Sequence, residues 1–177
     1  MALSLWLFPV GTGTEELKQM ILELSDEFKT NAFLPHVSLP FSFECSQEEA
    51  IHKLDTKFLE EKKFFVEFDD LYTGMTPHTQ VFFEFKETND LEKLNYAAKN
   101  AFYEFITKER MKPFHMSLIY ADTLPEKNFS DANKERIITM VKEMGYPKSI
   151  CLGELAIMER TSEKLNEWKV VHSIKLK

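Results

Sequence analysis

Cysteine is scarce in this chain. Cys45 and Cys151 are the only two, far apart in sequence and without a secretory context. That argues against a disulfide framework and for reduced thiols, as expected of a cytoplasmic protein, with the nucleus also admitted. Long apolar runs are missing too: no stretch approaches the roughly 18 to 20 residues a bilayer crossing requires, so no membrane partner is expected. Ala2 to Phe8 lack a basic leader and a small-residue cleavage site and read as a strand rather than a signal peptide. Positive charge is in deficit. The net charge of -7 works against broad, nonspecific contact with nucleic acid, although a single site on an acidic protein can be locally positive and take a small phosphate-bearing ligand.

Several chemical signatures are also lacking. Gly11-Thr12-Gly13 has neither the third Gly of a dinucleotide loop nor the Gly-Lys-Ser/Thr ending of a phosphate loop. There is no His-Glu-x-x-His and no cluster of Asp ligands, which disfavours a metal hydrolase.

What is present is a bulky aromatic core, with sixteen Phe in a chain that is 44% hydrophobic and 29% charged. At 177 residues it suits one compact domain over residues 1–177, or two lobes of similar size, and is long enough to bury roughly two thirds of its unfolded surface. Ser4 to Pro9 reads as a strand, followed by a helix with Thr14 as its cap and Leu17, Ile21, Leu24 and Phe28 at helical spacing. His36 to Phe43 reads as a strand that Pro40 confines to an edge or bends. Ser46-Gln47-Glu48-Glu49 is a capping box opening a second helix. Lys63 to Tyr72 and Thr79 to Lys86 alternate as paired strands around the turn residues Thr73 to Pro77. The helical stripe from Leu91 to Phe105 predicts a helix running to about Arg110, where Pro113 forbids continuation. A fourth helix capped by Ser130 and stopped at Gly145 precedes two strands, Ser149 to Met158 and Trp168 to Leu176, joined by the polar Thr161 to Asn166 loop.

Pro113-Phe114-His115-Met116-Ser117-Leu118-Ile119-Tyr120 places an imidazole and a hydroxyl on one side of a strand, with Met116, Leu118 and Tyr120 on the other if the alternation holds. Pro35-His36-Val37-Ser38-Leu39 repeats the pattern. Five histidines would give about 0.6 His-x-Ser/Thr by accident, so context carries the weight. Both copies lie in strands, follow a Pro within two residues, carry Leu next and are led in by an amphipathic helix. This suggests two related halves whose histidine strands meet. Of the other histidines, His52 reads as a surface residue, His172 as structural and His78 as loop chemistry that could reach a ligand.

His36-Val37-Ser38-Leu39 and His115-Met116-Ser117-Leu118 resemble the paired signature of the 2H phosphoesterases. The opening Leu3 to Pro9, the segment ending in Tyr120, and the late Glu154 to Thr161 strand before Trp168 are similar to the eukaryotic cyclic nucleotide phosphodiesterase branch. The resemblance implies an α+β fold: two antiparallel sheets in a bilobal, pseudo-twofold arrangement around a central cleft, with helices outside. It implies hydrolysis of nucleoside 2',3'-cyclic phosphates to 2'-phosphates, or of ADP-ribose 1'',2''-cyclic phosphate, without metal or cofactor. A 2',5'-oligoadenylate or RNA-end phosphodiesterase, or a noncatalytic nucleotide or RNA-binding module, stands as the alternative, so RNA ends and short oligonucleotides are further candidate ligands. A monomer is expected.

Opening a cyclic phosphodiester with water needs a proton acceptor and a proton donor. Two imidazoles can supply one of each near neutral pH. His36 and His115 are therefore the expected catalytic pair, with the Ser38 and Ser117 hydroxyls on the nonbridging oxygens. The resemblance further implies His115 as base, His36 as acid and Tyr120 as an aromatic group against the base or shaping the pocket. Lys112 and His78 are candidate secondary phosphate contacts.

Overall fold

The computed structural model describes residues 2–86, 89–110, 113–162 and 167–177; Lys112 lies outside them. Strand β1 (Ala2–Val10) leads into helix α1 (Thr14–Phe28). β2 (Val37–Ser38) and β3 (Phe41–Phe43) follow, then α2 (Gln47–Lys57), β4 (Phe64–Thr73), β5 (Val81–Phe85) and α3 (Asn89–Phe102). β6 (Ile106–Glu109), β7 (His115–Ile119), α4 (Asp131–Met144), β8 (Ser149–Arg160) and β9 (Trp168–Lys175) complete the order.

Every strand pairing is antiparallel, and the strands form one linked path, β6-β3-β1-β8-β4-β5-β7, with β2 also on β1 and β9 also on β8. The two expected sheets are thus joined. β4 pairs with β8 over Phe64 to Glu67 and with β5 over Phe68 to Thr73, so a single strand belongs to both. Gly153 sits where β1 and β8 slip register beside Pro9, and a side chain there would meet a Val10 methyl at 2.3 Å. Only glycine lets the two strands close at this bulge.

The core follows from alternation and helical stripe. Leu3, Leu5 and Leu7 of β1 and Leu17, Ile21 and Leu24 of α1 belong to one core, all fully buried. Phe43 meets Phe102 with ring centroids 4.3 Å apart, and Phe68 meets Phe83 at 4.4 Å. Side chains of this size stabilise the fold by about 1.5–3 kcal/mol each when fully buried. α1 packs on β7 and α4, α4 on β5, and α2 on α3 and β9.

Ser46 and Ser130 cap α2 and α4 through their hydroxyls, accepting from the Glu49 and Asn133 amides, as the spacing predicts. Three expectations need correction. Thr14 is the first residue of α1 rather than its cap; Gly13 holds the cap position with φ 87°, and no side chain bonds there. The strand expected over His36 to Phe43 divides at Pro40 into β2 and β3, leaving His36 immediately before β2. The third helix ends at Phe102 rather than near Arg110. After a single 3-10 turn, Tyr103–Phe105, the chain straightens into β6 because Ile106 to Glu109 can pair with β3.

Candidate active site

The two motif strands, β2 and β7, lie against each other. Each histidine is anchored in the same way. His36 donates its Nδ1 proton to the Leu34 carbonyl (2.7 Å) and His115 to the Pro113 carbonyl (3.2 Å), in both cases two residues upstream. A carbonyl only accepts, so Nδ1 carries the proton and, in the neutral ring, Nε2 keeps its lone pair. The His36 lone pair accepts from the Tyr120 hydroxyl at 3.2 Å, joining the first motif to the end of the second.

Alternation in β1 sends Leu5 and Leu7 to the core and Trp6 and Phe8 to the opposite side. There the Trp6 indole stacks flat on the His36 imidazole, centroids 3.5 Å apart and planes 1° from parallel. His36 is only 4% exposed. Burial disfavours its charged form and pulls its pKa from 6.5 to about 3; the Leu34 bond opposes this, while the charges of His115, Arg160 and His78 add to it. At neutral pH the ring is an acceptor.

Tyr120 reaches this side because β7 is irregular. Ser117 pairs with Phe82 but Ile119 pairs with Val81, so Leu118 is an extra residue on β7. A bulge of this kind reverses the alternation beyond it. Tyr120 thereby returns to the face of His115 and Ser117, correcting the expectation that it lies with Met116. Phe33 stacks on it at 3.9 Å, and burial raises its pKa, so the phenol keeps its proton.

A cleft of about 340 Å³ is lined by Ser38, His115 and Tyr120 together with Trp6, Thr76, His78, Thr79, Lys108, Arg110, Arg160 and Trp168. Its size suits a nucleotide-sized ligand. Of the expected site residues, Ser38, His115 and Tyr120 border this space, while His36 stands one layer behind, against Tyr120 and Trp6. Ser117 does not present a proton to the cleft. Buried to 5% exposure, it donates its hydroxyl to the His78 carbonyl at 2.8 Å, leaving nothing to donate to a phosphate oxygen.

That bond is one of several that fasten the segment between β4 and β5. The Lys134 ammonium, on a buried side chain, donates to the Gly74 carbonyl (2.9 Å), the Gln80 amide to the Thr76 carbonyl (2.6 Å) and the Ala121 amide to the Pro77 carbonyl (2.7 Å). Gly74 lies so close to Thr79 that any side chain at 74 would strike its carbonyl oxygen at 2.1 Å. The fixed loop carries Thr76, His78 and Thr79 to the cleft, where His78 lies 5.0 Å from Tyr120 and 5.1 Å from Trp168.

Sequence reasoning missed Trp6, Trp168, Arg160, Lys108 and Arg110. Arg160 lies over the Trp168 ring at 4.3 Å, and these cations make the cleft locally positive on an acidic chain. Among the described residues no group of three His, Cys, Asp or Glu side chains could hold a metal ion, and no helix is long and apolar enough to cross a membrane. His172 bonds Asp55 at 2.7 Å on β9, away from the cleft.

A profile of the family described as "Cyclic phosphodiesterase-like protein" matches residues 1–176. No curated protein matches the chain. Among solved structures, Escherichia coli LigT in apo form is similar with TM-score 0.62 at 12% identity, covering 99% of this chain and 96% of that one. E. coli LigT complexed with 3'-AMP gives 0.58 at 12%, covering 98% and 96%, and a crystal structure of a phosphoesterase gives 0.63 at 11%, covering 99% and 98%. At these identities the likeness is one of fold.

Proposed function

The chain belongs to the cyclic phosphodiesterase-like family of the 2H phosphoesterases, and from that premise we propose that it opens ribose cyclic phosphates by paired-imidazole catalysis without a metal. The substrates are a nucleoside 2',3'-cyclic phosphate, giving the 2'-phosphate, and ADP-ribose 1'',2''-cyclic phosphate. The observation that carries this reading is the meeting of the two His-x-Ser strands, each histidine pinned through Nδ1, beside a cationic cleft.

One imidazole of the His36 and His115 pair takes the proton of the attacking water, the water oxygen bonds to phosphorus as the bond to the ribose 3' oxygen breaks, and the other imidazole delivers a proton to that oxygen. His115 borders the cleft directly, whereas the His36 Nε2 reaches it only once the Tyr120 hydroxyl turns away from it. Ser38 and Arg160, both facing the cleft, hold the nonbridging oxygens as charge grows on them.

The test is turnover of adenosine 2',3'-cyclic phosphate by enzyme stripped with a chelator, followed by phosphorus NMR. The expected product is the 2'-phosphate alone. A 3'-phosphate product, or activity restored only by added metal, would overturn the reading.

A further inference from the structure

We propose that His78 takes, in the second half of the molecule, the place that Ser38 holds in the first: its ring N–H donates to a nonbridging oxygen of the reacting phosphate, and Ser117 positions it from beneath. The proposal rests on the function just argued and adds a substrate contact from outside both His-x-Ser motifs.

The two motifs serve a phosphate unevenly. Ser38 borders the cleft, so the first motif offers it a hydroxyl. The Ser117 proton is already held by the His78 carbonyl at 2.8 Å, and His78 stands in the cleft lining where Ser117 does not. A layer of main chain therefore separates the second hydroxyl from the ligand. An imidazole projects further from its backbone than a hydroxyl and spans that layer. In either protonation state it keeps at least one N–H to donate.

The loop is built to hold that ring still. The carbonyls of Gly74, Thr76, Pro77, His78 and Gln80 accept hydrogen bonds from the Lys134 ammonium, the Gln80 side chain, the Ala121 amide, the Ser117 hydroxyl and the Gly74 amide, in that order. Lys134, Gln80 and Ser117 are themselves buried. Burying an ammonium, an amide and a hydroxyl is unfavourable unless each is bonded, and all three bond to the main chain of this one short segment. The Thr76 and Thr79 hydroxyls bond each other at 2.6 Å, closing the turn. His78 is the titratable side chain the segment carries to the cleft.

The ring is fixed at its sides as well. It is half-buried, edge-on to Tyr120 and tilted against Trp168, the same indole that carries the Arg160 guanidinium at 4.3 Å. His78 and Arg160 are thereby neighbouring donors in the cleft wall. The charges of both, with that of His115, are felt at the His36 ring, as a shared space requires. A donor set in place before the ligand arrives stabilises charge on a phosphate oxygen without reorganisation.

The experiment uses the two diastereomers of adenosine 2',3'-cyclic phosphorothioate, each with sulfur in place of one nonbridging oxygen. Sulfur accepts hydrogen bonds poorly, so each is expected to turn over about tenfold more slowly than the oxygen substrate. His78→Ala, folded by circular dichroism, should lower kcat/KM for the oxygen substrate about tenfold and abolish the slowing for a single diastereomer; Ser38→Ala should abolish it for the other. His78→Gln, which keeps an N–H donor, should recover part of the loss. Ser117→Ala should lower kcat/KM less, and in a His78→Ala background not at all, because it acts through His78. Slowing that persists at both diastereomers in His78→Ala, or losses from Ser117→Ala and His78→Ala that multiply, would overturn the contact while leaving the hydrolysis intact. If none of the substrates turns over, the hydrolysis fails, and imidazole carbon–proton NMR spectra titrated with 2'-AMP decide the contact. The His78 signal, assigned through His78→Gln, should shift while that of His172, bonded to Asp55 away from the cleft, stays in place. A His78 signal as unmoved as that of His172 would overturn the contact.

Discussion

The two copies of His-x-Ser begin alike and end opposite. In the first, the histidine is buried behind Trp6 and the serine borders the cleft; in the second, the histidine borders the cleft and the serine is buried beneath the Gly74 to Gln80 loop. Each motif fixes its ring by the same local bond to a carbonyl two residues back. Everything that distinguishes them comes from other elements: an indole from β1 on one side and a loop carbonyl on the other. A repeated motif therefore specifies geometry, while its surroundings divide the labour.

Removing either imidazole should have the largest effect. His36→Ala and His115→Ala are each expected to lower kcat/KM by about 10²–10⁴ while circular dichroism shows a folded protein. A folded variant with near-full activity would remove that residue from the chemistry and break the pairing.

The serines sharpen the comparison. Ser38→Ala is expected to cut kcat/KM about tenfold at unchanged stability, through one lost hydrogen bond to a charged group. Ser117→Ala should lower the urea midpoint by an amount equal to about 1–2 kcal/mol, with a smaller change in activity. Equal activity losses and no stability change would mean that the two hydroxyls do the same job after all.

Acid tests the buried ring. The folded pKa of His36, about 3, lies below its unfolded value of 6.5, so the unfolded chain takes up a proton that the native state refuses. The stability this provides is complete above pH 6.5 and is lost as pH falls towards 3, at no more than about 1.4 kcal/mol per pH unit. Urea unfolding between pH 7 and 4 should show a weaker pH dependence in His36→Gln than in the wild type; parallel curves would count against a neutral buried ring. The smallest expected effect is that of Tyr120→Phe, about threefold to tenfold in kcat/KM, from losing the bond that holds the His36 lone pair in place.

Legibility in the sequence tracked the range of the interaction. The caps at Ser46 and Ser130, the stripe of α1 and the pairing of β4 with β5 are set by neighbours within a few positions, and they read correctly. The end of α3 did not, because the fate of Ile106 to Glu109 depends on an unpaired β3 edge more than sixty residues away in sequence. Tyr120 was placed on the wrong face because nothing in Ser117-Leu118-Ile119 announces a bulge; it arises from the register against Phe82 and Val81. The site followed the same rule. His115 and Ser38 were visible as a motif, whereas Arg160, Trp168 and the cations of β6 reach the cleft from strands with no motif of their own. The alternation that puts Lys108 and Arg110 together was there to be seen, once β6 was known to be a strand.

The sharing of β4 between two pairing partners has a further consequence. The central strand β8 comes from the C-terminal half of the chain yet lies between β1 and β4 of the N-terminal half. Neither half is a finished object by itself, so a backbone nick between them should yield pieces that are unfolded apart and recover their shape only on mixing, as a fragment-complementation pair.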